Sequence, residues 1–515
     1  MGISSGQLCS HTDEPSPTSR FPGRTNSIKG TRFPKGKTYP ALNQPSQQTP
    51  KSLRGLVFQG GLYLGVRQAI GLAIGLLGPI YLLREIGPRN YGLYAAALSV
   101  LSYVQLVAQW GVEIYLMRHP QSEDCPEVYH QGFTILIVLT LLGIGGSIAV
   151  LPLLNSWMKL GGFRPVASLM FLTLPFLTLR QVPLARLERG LDYKRIALIE
   201  LSGQASFYLV ALPLAFRDRN VWAPVTGWWV QQALLFTLFF LIARYRPSLH
   251  FSLHLTKRIL GYGLGYSASI WVWQLRSLVN PLVVGRYAGG AAVGFVALAI
   301  RLVEVLSFAK SAAWRISIAA LARLQNDTGR LLRAISEGMR LQVLAVGPPL
   351  LTFSLAGPFV LRALFGPRWT PVMLVYPFIA LSYMTNSAYT LSSSALFVLC
   401  KNWDVAAFHV IHVFMFAGTA FLLVPRLGIA GYGWAEMAGL ASYPFLDAAT
   451  RRKVGRPDYS VAALWWFAFG SAFFDPLVGW IALMSLALLI LWPPSFRYLV
   501  GYAKEGLRTV RGGVA

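Results

Sequence analysis

Charge is scarce in this chain, and acid is scarcer than base. Of 515 residues only 13% are charged, with 46 Lys and Arg against 20 Asp and Glu. At 54% hydrophobic residues and a mean hydropathy of +0.50, an ordinary soluble domain is excluded, and the chain reads as an all-α, multi-pass membrane protein. The formal net charge of +26 does not mark a nucleic-acid binder, because the Lys and Arg residues are spread through short loops instead of gathering on one soluble module. Cysteine is almost absent. Cys9, Cys125 and Cys400 lie far apart and make no pattern that reads as a disulfide framework or zinc site, so neither a metal nor another cofactor is indicated. There is also no Walker-type phosphate loop, no serine nucleophile elbow and no HExxH, so nothing points to an ATPase or protease, and no residue stands out as catalytic.

What the chain has in abundance is long apolar runs. Two of them, 56 to 83 and 91 to 116, are joined by Arg84-Glu85-Ile86-Gly87-Pro88-Arg89-Asn90. Each exceeds the roughly 20 residues needed to cross a bilayer, and so short a polar connection predicts a helical hairpin turning at a membrane surface. The layout returns at an offset of 202, the difference between 263 and 61. Gly61, Arg84, Gly87, Gly92, Ala95 and Ala97 face Gly263, Arg286, Gly289, Gly294, Ala297 and Ala299; Phe163, Pro165, Pro175 and Phe176 face Phe365, Pro367, Pro377 and Phe378. Repeated halves are a mark of transporters whose site lies between them.

Further apolar stretches at 131 to 154, 166 to 185, 196 to 216, 221 to 243, 259 to 285, 291 to 318, 338 to 361, 371 to 399, 403 to 424 and 428 to 449 complete twelve spans in two groups of six. Two shorter ones, 461 to 474 and 476 to 493, are split by Asp475-Pro476 and raise the expectation to fourteen. The expected divisions are a polar basic segment at 1–52, a six-helix half at 53–247, a second at 248–450, and two further helices with a tail at 451–515. Residues 1–52 have no apolar run to bury, and are either a disordered tail or sequence upstream of the natural product.

Threading the spans with the N-terminus inside places roughly 29 Lys and Arg on one side and roughly 10 on the other, the asymmetry of the positive-inside rule. Both termini are thereby expected in the cytoplasm. Every outer connection is short, so a catalytic ectodomain is excluded.

Charges inside the spans carry the functional signal, because an ionisable group near the bilayer centre costs at least about 2.5 to 3.5 kcal/mol unless it faces protein or water. Arg67, Arg276, Arg301 with Glu304, and Lys310 are placed deep and are the candidate substrate-binding residues. Arg301 and Glu304 share a helix face and either neutralise each other or act together. Arg67 and Arg276 have no acidic residue three or four positions away, which favours a cavity facing an anion. Glu436 and Asp447 are candidates for ion coupling. Arg180, Glu113, Glu200 and Arg315 are expected to snorkel from helix ends, and His409 and His412 to pack, since no carboxylate or cysteine falls in register to complete a metal site.

The connection Leu83-Arg84-Glu85-Ile86-Gly87-Pro88-Arg89-Asn90-Tyr91-Gly92-Leu93-Tyr94 is similar to the turn of the polysaccharide-biosynthesis flippases, relatives of O-antigen exporters in the multidrug/oligosaccharidyl-lipid/polysaccharide superfamily. Trp110-Gly111-Val112-Glu113 to Arg118, the stretch Leu187 to Arg195, Phe365-Gly366-Pro367-Arg368-Trp369 and Gly428 to Gly433 resemble it further. The resemblance implies two six-helix lobes around a central cationic cavity that opens alternately inward and outward, in a bacterial inner membrane. It implies as cargo a polyprenyl-pyrophosphate-linked oligosaccharide, with membrane lipids, glycosyltransferases and a polymerase as partners. A multidrug antiporter of the same superfamily would want an acidic cavity, and a membrane polymerase a large outer loop.

Overall fold

The computed structural model describes the backbone of residues 53–118, 126–308, 310, 317, 320–325 and 327–512, with side chains from Leu77 to Tyr502 except Tyr266, and that of Lys504. Gln59–Ala515 forms one compact unit; of the shorter unit, Met1–Phe58, only the helical residues 53–58 are described. The structure is 88% helical, with no strand among the described residues, so the all-α class is as expected.

Helix α1 covers Leu53–Gln109, followed by α2 (Val112–Arg118) and α3 (Pro126–Met158). Three short pieces, α4 (Phe163–Phe171), α5 (Leu174–Leu179) and α6 (Gln181–Arg189), stack end to end as one apolar rod. Helices α7 (Tyr193–Asp218) and α8 (Trp222–Ile242) form a hairpin, and α9 (Leu253–Gln274), α10 (Arg276–Val279), a π-helical turn at Asn280–Val284 and α11 (Gly285–Leu306) follow almost without interruption. Then come α12 (Thr328–Val360), α13 (Tyr376–Ala388), α14 (Thr390–Val398), α15 (Asn402–Leu427), α16 (Ile429–Leu440) and α17 (Tyr443–Lys453). The last elements are α18 (Ser460–Ala472), α19 (Asp475–Val478), α20 (Ala487–Leu491) and α21 (Pro493–Gly512).

Among the described residues eight helices are long and apolar enough to cross a membrane, or nine if the bent pair Trp480–Leu491 and Pro493–Tyr502 is one span. Part of the difference from fourteen lies at the first expected span, 56–83, whose side chains before Leu77 lie outside the described residues, and at 259–285 and 291–318, which join in the one stretch Ser267–Leu306. The rest has a local cause. The apolar runs at 371–399 and 428–449 are each cut in two, at Tyr389 and at Ala441-Ser442, so neither yields one long helix. Ser460–Ala472, at 13 residues, falls short of a full crossing. Cys400, for which the cysteine spacing suggested no pairing, is disulfide-bonded.

The 202-residue repeat is visible in the backbone. Gly87 interrupts α1 with φ 76°, ψ 170°, and Gly289 interrupts α11 with φ 82°, ψ 176°. Only glycine adopts such torsions without strain, and each marks the sharp turn of a hairpin. The two turns touch reciprocally. A Cβ on Gly92 would lie 1.8 Å from the Gly290 carbonyl oxygen, and one on Gly294 would lie 2.3 Å from that of Pro88. Since 290 and 294 are 88 and 92 moved by 202, each half offers the other the same surface, the pattern of a two-fold contact. Ala at Gly92 or Gly294 is therefore expected to force the backbones apart, at about 1–3 kcal/mol. The check is the melting temperature of purified protein beside Gly145→Ala, where a Cβ meets nothing within 4 Å; equal melting of the two would refute the contact.

The far end of α1 also reaches the second half of the chain. Trp110 Nε1 donates to the Leu260 carbonyl at 3.1 Å and Trp271 Nε1 to that of Leu106 at 3.3 Å, with the two indoles edge to face at 4.8 Å. The Gly87–Gln109 segment is thus held near one end against α11 and at the other against α9.

Candidate functional site

Helix α9 gives way to α10 at Leu275, which sets Arg276 at the head of a short turn. Its Nη2 donates to both carboxylate oxygens of Glu436 on α16, at 2.9 and 3.0 Å. Its guanidinium carbon lies 5.1 Å from the Trp273 ring and 5.6 Å from that of Phe416. The side chain of Arg276 is 16% exposed and that of Glu436 1%. The absence of a local counter-charge on α10 is real, but a distant one supplies it, so the fixed cation is partly neutralised before any ligand arrives.

Ser382 and Tyr383, consecutive on α13, join this pair to a second cluster. Ser382 Oγ donates to Glu436 Oε2 at 2.7 Å, and Tyr383 Oη to Glu304 Oε1 at 3.1 Å. Glu304 faces Arg301 at 3.9 Å, both about half exposed, and Lys310 Nζ sits 4.7 Å from the centre of the Tyr383 ring. Arg276, Arg301 and Lys310 therefore set three cations against two carboxylates around one serine and one tyrosine. Such a group can offer charge to an anion and aromatic faces to apolar or sugar surfaces.

The side chain of Arg67, and Arg315, lie outside the described residues. Asp447 is not part of the cluster: it accepts from Arg451 Nε at 2.7 Å and from the Tyr459 hydroxyl near the end of α17. His409 and His412 both pack on Trp273, at 4.8 and 5.0 Å, and pair through Nδ1 with the Ser269 carbonyl and the Ser442 hydroxyl. Arg180 does not snorkel; its Nη1 donates at 2.6 Å to the buried Gln232 on α8. Sequence reasoning missed Ser382 and Tyr383, although the run Ser382-Tyr383-Met384-Thr385-Asn386-Ser387 inside an apolar stretch is a signal, since polar groups in a membrane helix need partners.

The fold resembles two solved transporters. The lipid II flippase MurJ in an inward closed conformation superposes with a TM-score of 0.66 at 12% identity, over 84% of this chain and 96% of that one. A multidrug resistance MATE family transporter of the MOP superfamily, inward-facing, gives 0.62 at 14% identity, over 77% and 98%. At such identities the likeness is one of fold. In sequence the chain is 22% identical over 395 residues to the lipopolysaccharide biosynthesis protein WzxC of Escherichia coli (strain K12), covering 75% of this chain and 77% of that protein. It is 21% identical over 306 residues to the succinoglycan biosynthesis transport protein ExoT of Rhizobium meliloti (strain 1021), covering 58% and 61%. The profile of one family, described as polysaccharide biosynthesis protein, matches residues 81–374, which takes in the Gly87 turn, Arg276, Arg301, Glu304 and Lys310. Since that match runs over more than half of its length, the chain belongs to the polysaccharide biosynthesis protein family.

Proposed function

We propose that this chain moves a polyprenyl-pyrophosphate-linked oligosaccharide from the inner to the outer leaflet of a bacterial inner membrane by alternating access between two six-helix lobes, 53–247 and 248–450. The observation that carries the reading is the excess of cations over carboxylates at Arg276, Arg301 and Lys310 inside an apolar helical body. Charges so placed are costly unless they face protein or water, two of the three are paired, and a pyrophosphate is the group that the remaining positive excess relieves of its dehydration. A cation-exporting antiporter would need the opposite sign.

With both termini in the cytoplasm, an inside-negative potential favours outward movement, about 2.3 kcal/mol per negative charge per 100 mV. In this reading Arg67 joins Arg276 from the first lobe, coupling to an ion falls to Glu436, which would have to exchange Arg276 for that ion, rather than to Asp447, which is held by Arg451 and Tyr459 outside the cluster, and glycosyltransferases and a polymerase of the same pathway supply and consume the cargo. Ala at both Arg67 and Arg276 is expected to abolish glycan export and leave lipid-linked glycan on the inner leaflet. Lys at either position retains part of the rate, because it keeps charge without the planar guanidinium fork. Export is compared at equal membrane abundance. A double Ala variant that exports like wild type would sink the proposal.

A further inference from the structure

The last helix is built unlike the rest. Pro493–Tyr502 is bent by 77° from the preceding apolar segment Trp480–Leu491, so the two do not continue as one straight span. In the sequence of α21, Phe496, Leu499, Val500, Ala503, Leu507 and Val510 recur at helical spacing, and so do Arg497, Lys504, Arg508 and Arg511. An apolar stripe beside a basic one is the signature of a helix lying in the membrane interface. Phe496 is half exposed.

The start of this helix is fixed, not loosely appended. Trp465 Nε1 on α18 donates to Ser495 Oγ at 2.7 Å, and Ser495 Oγ donates in turn to the Leu489 carbonyl at 2.7 Å. The guanidinium of Arg340, on α12, lies 4.4 Å from the Tyr498 ring and is tied to Asp458 at 2.6 Å. One face of the helix, Pro494, Arg497, Tyr498, Gly501 and Tyr502, lines an open cavity of about 400 Å³. Beneath Tyr498 the buried Nε of Arg340 has no hydrogen-bond partner. A cavity rimmed by Arg497 and two tyrosines, one of them backed by the Arg340 guanidinium, suits a phosphate. The apolar stripe beside it suits acyl chains.

We propose that α21 is an interfacial helix whose cleft at Arg497 takes the phosphate headgroup of an anionic phospholipid, on the leaflet that faces the basic loops. The test is amide hydrogen exchange of the full chain in nanodiscs of phosphatidylcholine alone and with phosphatidylglycerol added. Exchange across 493–512 is expected to slow at least about tenfold with phosphatidylglycerol, given the contribution of each basic residue at an anionic surface. High salt reverses the effect. Arg497→Glu with Lys504→Glu abolishes it, and Arg497→Lys keeps it. Equal protection in both lipids, or protection that survives the charge reversal, overturns the proposal. Protection by inorganic phosphate added to phosphatidylcholine discs overturns it in favour of a free-anion site.

Discussion

Replacing both members of the buried ion pair, as Arg276→Met with Glu436→Leu, is expected to give a protein that is as stable as wild type and exports no glycan. The single changes behave differently. Glu436→Ala leaves Arg276, only 16% exposed, without its counter-charge, and Arg276→Ala strands a carboxylate that is 1% exposed. Breaking a buried pair from one side costs about 3–5 kcal/mol, whereas apolar replacement of both partners is often neutral. Ser382 still donates to Glu436 in the Arg276→Ala variant, which softens that loss and makes Glu436→Ala the worse of the two. Melting temperature measures stability, and export at matched abundance measures function. A double variant that restores both assigns the pair to scaffolding. One that restores stability alone assigns the pair to transport, through Arg276 at the cargo or Glu436 at a coupling ion, and Arg276→Lys with Glu436 intact separates the two.

What was legible in the sequence is whatever is encoded locally. The turn at Gly87 and its echo at Gly289 were readable because glycine at a sharp turn is a short-range requirement, and the torsions of the two agree within a few degrees. Apolar runs were readable as helices for the same reason. The break at Tyr389 was not, since no proline or charge marks it and packing decides where the helix bends; the one at Ala441-Ser442 carried a signal, Pro444 in the first turn of α17, inside an otherwise unbroken apolar run. The partner of Arg276 stands 160 residues away on another helix, beyond any search at three or four residues. Arg180 and Gln232 were hidden likewise, 52 residues apart. Charge inside a span marked side chains that need a partner, but which partner each finds is a tertiary fact.

The Gly87–Gln109 segment is expected to be the moving part, and a disulfide at its far end is expected to stop export. The segment meets α11 through Gly92 and Gly294 and meets α9 through Trp110 and Gly263, where a Cβ on Gly263 would lie 2.0 Å from the Trp110 carbonyl oxygen. At these two points the backbones of the halves are in direct contact. A cargo that crosses by alternating access must break one of them while the other holds. A Cβ on Gly111 would lie 2.8 Å from Ser267 Oγ, which puts the two Cβ atoms within about 4.2 Å, inside disulfide range. Gly111→Cys with Ser267→Cys is made in a background lacking the native cysteines. Gly111 has φ 69°, so the cysteine there adds about 1–3 kcal/mol of backbone strain, which the Gly111→Cys single variant measures. Oxidation is expected to drop export to background, and reduction to restore it to the level of that single variant. Full export from the oxidised protein would mean that this end never opens, and that the halves part elsewhere or not at all.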